Sequence, residues 1–159
     1  MKEFIKIVLI LAIVSLLLSI SCEQSTEPGE DLNFQKLEIH YSKMGGWIQP
    51  TKLDIYGNGL VKANLLNHSN HAATDSASKI LTKKEQDEIV NLFRSFSEYK
   101  RHYEPENWVT DQNTHSIVFI NDGIPDTVSV YMPEKADIPL NLMKTILGME
   151  SLWASMLED

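Results

Sequence analysis

The alternation of apolar and polar residues between positions 37 and 132 predicts five β-strands. Leu37, Ile39 and Tyr41 alternate with polar neighbours, and the same period of two recurs at Leu53 and Ile55. The other three predicted strands are Leu60–Leu66, Ser116–Ile120 and Asp126–Met132. The turn signals Gly57-Asn58-Gly59 and Asn121-Asp122-Gly123 connect successive strands as hairpins.

Apolar residues at helical spacing predict two helices. Thr82, followed three residues later by Glu85, is typical of a capping box that starts the first helix. Its apolar stripe comprises Ile89, Leu92, Phe93, Phe96 and Tyr99. The stripe of the second helix comprises Leu142, Met143, Ile146, Met149, Leu152, Trp153 and Met156.

These elements predict one α+β domain over residues 34–159. The order β-β-β-α-β-β-α favours an antiparallel sheet of about five strands with two helices packed on one face. Residues 67–79 are small and polar and are interpreted as a loop, and residues 100–113 as a long connection.

Residues 1–21 have the pattern of a signal peptide. Lys2 and Lys6 form a short positive region that overlaps the start of an apolar run from Ile5 to Leu18, which is shorter than the roughly 20 residues of a membrane-spanning helix. The run ends in Ser19-Ile20-Ser21-Cys22, which resembles the lipobox of bacterial lipoproteins. The resemblance implies cleavage before Cys22 and acylation of its thiol. An uncleaved anchor and an ordinary secretory signal are the alternatives.

Residues 22–33 follow as a tether. This stretch is polar and acidic and contains Pro28 and Gly29, a composition typical of a flexible linker. The expected location is therefore the bacterial cell envelope, lipid-anchored to a membrane; in a Gram-negative cell this is the outer membrane, on its periplasmic or surface side.

The composition of the chain limits the kinds of partner and ligand that it is expected to bind. The formal net charge of −8 disfavours nucleic acid, because binding to phosphate backbones requires clustered lysine and arginine. Cys22 is the single cysteine, so the chain has no disulfide framework and no second thiol for catalysis or metal binding. No cofactor is expected.

Aromatic and charged residues in two connections are the candidates for binding a protein partner. Tryptophan, tyrosine and arginine are enriched at interface hot spots. The candidates are Trp47, Tyr99, Arg101, Tyr103 and Trp108. Packing of these aromatic residues against the core is the alternative.

No nucleophile elbow, P-loop or dinucleotide fingerprint occurs, so the chain is predicted not to be an enzyme. Glu104 and Glu106 are the alternative, as the carboxylates of a hydrolase or glycan-acting enzyme. His68, His71 and Asp75 could be metal ligands, but their position in a predicted loop favours a solvated turn, and no metal is predicted.

Residues 36–157 resemble the emfourin-type inhibitors of thermolysin-like metalloproteases. The resemblance rests on Leu37-Glu38-Ile39, Gly45-Gly46-Trp47, Leu81-Thr82-x-x-Glu85, Asp126–Val130 and Pro139 before a leucine-rich helix. It implies a binding domain without chemistry of its own, with a protease as the candidate partner. A structural envelope lipoprotein is a further alternative.

Overall fold

A computed structural model of the chain describes residues 32–107 and 110–157, which contain seven β-strands and two α-helices. The strands are β1 (Leu37–Gly45), β2 (Thr51–Tyr56), β3 (Leu60–Leu66), β4 (Ala73–Ile80), β5 (His102–Tyr103), β6 (Asn113–Asn121) and β7 (Ile124–Tyr131). The helices are α1 (Lys83–Phe93) and α2 (Leu140–Leu157).

All seven strands form one mixed sheet in the order β4-β3-β2-β1-β6-β7-β5. Each neighbouring pair is antiparallel except β5 and β7, which are parallel. The α+β class is therefore confirmed, and the prediction of about five antiparallel strands is roughly right but not exact, since the sheet has seven strands and the β5–β7 pair is parallel.

The prediction of a loop over residues 67–79 is wrong, because most of this segment belongs to strand β4. The turn is confined to residues 67–72, where Asn67 N–H donates to the Ala72 carbonyl at 2.8 Å and the Asn67 side chain accepts from Ser69 N–H at 2.8 Å. β4 then pairs with β3. Its side chains are mostly exposed on both faces of the sheet, so no apolar alternation marks this strand in the sequence.

The predicted connection at residues 100–113 contains the short strand β5, whose His102 and Tyr103 lie beside Ser129 and Val130 of β7. The predicted first helix is also shorter than its apolar stripe. It ends at Phe93, and Phe96 begins a separate 3₁₀ turn with its ring fully buried. The apolar spacing continues past the helix because the core continues there.

The start of α1 confirms the predicted capping box. Glu85 N–H donates to Thr82 Oγ1 at 3.3 Å, and Thr82 N–H donates to Glu85 Oε2 at 2.7 Å. Lys79 also donates to Glu85 Oε1 at 2.8 Å and, together with Thr82, lowers the pKa of this carboxyl. The cap thus ties the first turn of α1 to the end of β4.

The core lies between one face of the sheet and the two helices. Ile39 and Tyr41 on β1 and Ile117 on β6 are buried on this face. From α1, the ring of Phe93 stacks on that of Phe119 with centroids 5.2 Å apart, and from α2, Leu142 and Ile146 are buried in the same cluster. The prediction that both helices pack on one face agrees with this arrangement.

The predicted signal peptide, Cys22 and the tether up to residue 31 lie outside the described residues. Within residues 32–107 and 110–157, no helix is long and apolar enough to cross a membrane.

Candidate interaction surface

The turn between β1 and β2 presents a tryptophan to solvent. Gly45 and Gly46 have φ values of +93° and +63°, a region that residues with a Cβ rarely adopt. A Cβ at either position would lie only 2.8 Å from a backbone oxygen, that of Gln112 or Asp111 respectively. The glycines therefore let the hairpin pack directly on residues 111–112, and the next side chain, Trp47, is 92% exposed.

The connection from β5 to β6 crosses the same end of the sheet. Because β5 runs parallel to β7, the chain leaves Tyr103 toward the end at which Gly45 lies opposite Asn113. Tyr103 and Pro105 are buried, whereas Glu104, Glu106 and Asp111 are exposed. We call Trp47, Glu104, Glu106 and Asp111 the hairpin-end surface.

The structure places the predicted partner-binding residues in three different environments. Trp47 and Arg101 are exposed, and Trp108 lies outside the described residues. Tyr103 is buried, and its hydroxyl accepts a hydrogen bond from Lys100 N–H at 2.9 Å. Tyr99 is half-buried with its ring edge-on to Phe96 at 5.8 Å. Trp47 and Arg101 are therefore accessible to a partner, while Tyr103 and Tyr99 pack in or against the core.

Tyr99 has an unsatisfied polar atom. Its hydroxyl is buried and has no hydrogen-bond partner among the described residues. Burial raises the pKa of this phenol, and Glu98 raises it further. The hydroxyl therefore stays protonated, as a donor beside a cavity of about 240 Å³ between the end of α1 and the start of α2.

Glu104 and Glu106 do not form a cleft. Both are exposed on either side of the buried Pro105, and Glu104 contacts the ring of His102, with Oε2 3.3 Å from Nε2. A retaining or inverting pair of carboxylates requires both groups to face one bound substrate. The exposed positions of these two side chains do not favour that chemistry.

His68 and His71 lie in the exposed β3–β4 turn, and Asp75 lies on β4. Asp75 Oδ1 accepts from Ser76 N–H at 2.8 Å. Among residues 32–107 and 110–157, no group of three or more histidine, cysteine or acidic side chains is arranged to hold a metal ion.

A polar network that the sequence pattern did not indicate covers part of the sheet face opposite the helices. His40 on β1 lies opposite Asp54 on β2, with Nδ1 and Oδ1 2.6 Å apart, and its Nε2 is 3.1 Å from Glu38 Oε1. Lys52 Nζ lies 3.0 Å from the other oxygen of Asp54, which is buried. Both ring nitrogens of His40 therefore contact carboxylates, and the contact with Asp54 spans the β1–β2 pair.

A second unpredicted network lies in the core under α2. The Tyr41 hydroxyl and His115 Nδ1 form a hydrogen bond of 2.8 Å, and Lys43 donates to Glu150 Oε1 at 2.6 Å. Burial and the nearby Glu150 carboxylate raise the pKa of Tyr41, so the phenol keeps its proton. A cavity of about 170 Å³ adjoins Tyr41, Lys43, Glu150 and Trp153. His115 lies on β6, one residue before the predicted strand Ser116–Ile120, and the sequence could not show that its ring contacts a tyrosine 74 residues away.

No protein-family model matches this chain, and no curated protein matches it with significant similarity. The resemblance to emfourin-type proteins therefore rests on the sequence pattern alone, and the function it implies is a proposal.

Proposed function

We propose that this chain is a lipid-anchored protein of the bacterial cell envelope whose folded part binds another protein and performs no catalysis itself. The observation that carries the proposal is the exposure of Trp47 on a turn packed against residues 111–112. A large aromatic side chain in water is unfavourable for a monomer but is the commonest kind of interface hot spot.

The packing of the turn favours tight binding. Gly45 and Gly46 bring the hairpin into contact with the 111–112 backbone, which restrains the backbone next to Trp47 before a partner arrives. Binding then loses less conformational entropy than it would with a free loop. The side chain has only two torsions to fix.

The charge around Trp47 defines the kind of partner. Glu104, Glu106 and Asp111 give the hairpin-end surface a negative charge, in a chain whose net charge is −8. Opposite charges accelerate encounter and exclude acidic partners. The expected partner therefore presents an apolar pocket bordered by lysine or arginine, and the emfourin-type resemblance makes a thermolysin-like metalloprotease the first candidate.

Trp47→Ala is expected to weaken inhibition of a purified thermolysin-like metalloprotease by about 30-fold, corresponding to about 2 kcal/mol for a tryptophan hot spot. The measurement is the inhibition constant of the full chain in mild detergent. Ile124→Ala is the matched control, because Ile124 is 74% exposed but begins β7 at the opposite end of the sheet, where it pairs with Asn121.

Two results would contradict parts of this proposal. If the full chain does not inhibit or bind the protease, that class of partner is wrong. If Trp47→Ala and Ile124→Ala weaken binding equally, the hairpin-end surface is not the binding site.

The anchor has a separate test at Cys22. Expressed in a bacterium, the parent chain is expected to yield an N-terminal peptide that begins at Cys22 and carries the mass of two or three acyl chains, which suffices for stable membrane attachment. Cys22→Ala should lack this mass. Mass spectrometry that finds an unmodified Cys22 inside a longer peptide would rule out lipidation.

A further inference from the structure

Strand β4 is the terminal strand of the sheet among the described residues. β3 pairs with one side of β4, and no described strand pairs with the other. The opposite terminal strand, β5, has only two residues, whereas β4 has eight and contains no proline. A long edge with free backbone groups is a template for pairing with another strand.

The hydrogen-bond ladder between β3 and β4 shows which backbone groups of β4 point away from β3. Leu81 N–H donates to the Gly59 carbonyl at 2.9 Å, so these two residues form a hydrogen-bonded pair. Such pairs alternate along an antiparallel ladder, and the register therefore directs the backbone groups of Lys79, Ala77 and Asp75 toward β3. Those of Ser76, Ser78 and Ile80 face away from the sheet.

The side chains along this edge are small or carry balanced charges. Ser76, Ala77 and Ser78 occupy its middle, with Asp75 two residues before Ala77 and Lys79 two residues after it. The strand is thus complementary to itself in the antiparallel direction. We propose that β4 pairs antiparallel with β4 of a second copy of this chain, with Ala77 on the two-fold axis.

This register satisfies the backbone and the charges together. Ser76 lies opposite the second copy's Ser78, and the backbone groups of both face away from β3. The Ser76 N–H, which donates to Asp75 Oδ1 at 2.8 Å within its own chain, would donate instead to the second copy's Ser78 carbonyl, so that the two residues form a hydrogen-bonded pair. Asp75 lies opposite the second copy's Lys79 at a site without backbone hydrogen bonds, where side chains approach most closely. Because the interface is isologous, each contact occurs twice.

The charges select this register over its neighbours. Moving the axis to Ser76 places Asp75 opposite Ala77, and moving it to Ser78 places Lys79 opposite Ala77, so both ion pairs are lost. Lys79 already contacts Glu85 at 2.8 Å within its own chain and has three donors, so it can bind both carboxylates. The inference does not depend on the proposed function.

The first test exchanges the two charges. The full chain in mild detergent, with micelles in large excess over protein, is expected to show a concentration-dependent monomer–dimer equilibrium by analytical ultracentrifugation. Lys79→Asp places like charges opposite each other twice and should weaken the dimer by about tenfold or more. Adding Asp75→Lys should restore it to within about threefold of the parent.

The double variant is the decisive comparison, because both variants lose the Lys79–Glu85 contact and differ only at residue 75, whose one intrachain hydrogen bond, from Ser76 N–H, would not by itself restore a dimer. A parent chain that stays monomeric over the whole concentration range overturns the proposal. A double variant that dimerises no better than Lys79→Asp also overturns it.

The second test measures proximity. Ala77→Cys should form an intermolecular disulfide on mild oxidation, since directly opposed Cα atoms at such a site lie about 4.5 Å apart, within disulfide range. Ser78→Cys is the matched control, because its Cα would lie about 8 to 9 Å from its counterpart. The parent chain measures the background of intermolecular disulfides formed through Cys22. Equal cross-linking of the two variants would contradict the register and overturn the proposal.

Discussion

Replacing Phe93 by alanine is expected to lower the free energy of unfolding by about 3 to 5 kcal/mol. Phe93 is 1% exposed, and its ring lies 5.2 Å from both Phe96 and Phe119, with the Phe119 ring nearly parallel. The truncation removes the contact through which α1 is held to the middle of the sheet. Urea unfolding followed by circular dichroism measures the change.

Trp47→Ala is the control for this prediction. It removes an even larger aromatic side chain, but one that is almost fully exposed, so the free energy of unfolding should change by no more than about 0.5 kcal/mol. A Phe93→Ala variant as stable as Trp47→Ala would contradict the packing described for α1.

The stability of the fold is expected to decrease between about pH 6.5 and pH 4 because of His115. Burial lowers the pKa of His115 to about 4; the Glu150 carboxylate opposes this effect, Lys43 adds to it and Glu134 opposes it. In this interval the unfolded chain binds a proton that the native state does not. The contribution of neutral His115 to stability is therefore fully present above the pKa of His115 in the unfolded chain. It is lost as the pH falls, by about 3 kcal/mol in total.

His115→Gln isolates this effect, since a glutamine amide can donate or accept in the hydrogen bond with Tyr41 but does not titrate. The difference in unfolding free energy between parent and variant, measured by urea titration at pH 7 and pH 4, should shrink or reverse at the lower pH. Carboxylates remote from His115 titrate alike in both chains and cancel in this difference, which therefore reports His115 together with Glu150, whose Oε1 lies 4.0 Å from its ring. A difference independent of pH would show that His115 titrates normally.

The sequence pattern predicted the strands that bury a face and missed those that do not. β1, β2, β3, β6 and β7 each carry buried apolar residues on one side, which gives the alternation its signal. β4 has mostly exposed side chains and is defined by backbone pairing with β3, a property that side chains do not encode. β5 is too short for a period to appear.

The candidate surface was predictable only in part, for a related reason. The Gly45-Gly46-Trp47 motif is compatible with a tryptophan packed in the core or with one that projects into solvent. Only the close approach of residues 111–112 to the two glycines distinguishes the second arrangement from the first. Tyr103 has the same residue type as an interface anchor, yet its position beside Val130 of β7 buries it. The His40–Asp54 pair depends on the β1–β2 register, which is fixed by the whole hairpin.

The position of β1 in the sheet determines when the chain can fold. One side of β1 pairs with the adjacent β2, but the other side pairs with β6, so Leu37 lies opposite Asn121. Contacts between residues so distant in sequence require closure of a long loop and slow the search for the native state. During synthesis, a chain that ends before β6 cannot complete the sheet or cover Ile39 and Tyr41. The order of strands thus delays folding until β6 has been made, long after β1 and β2.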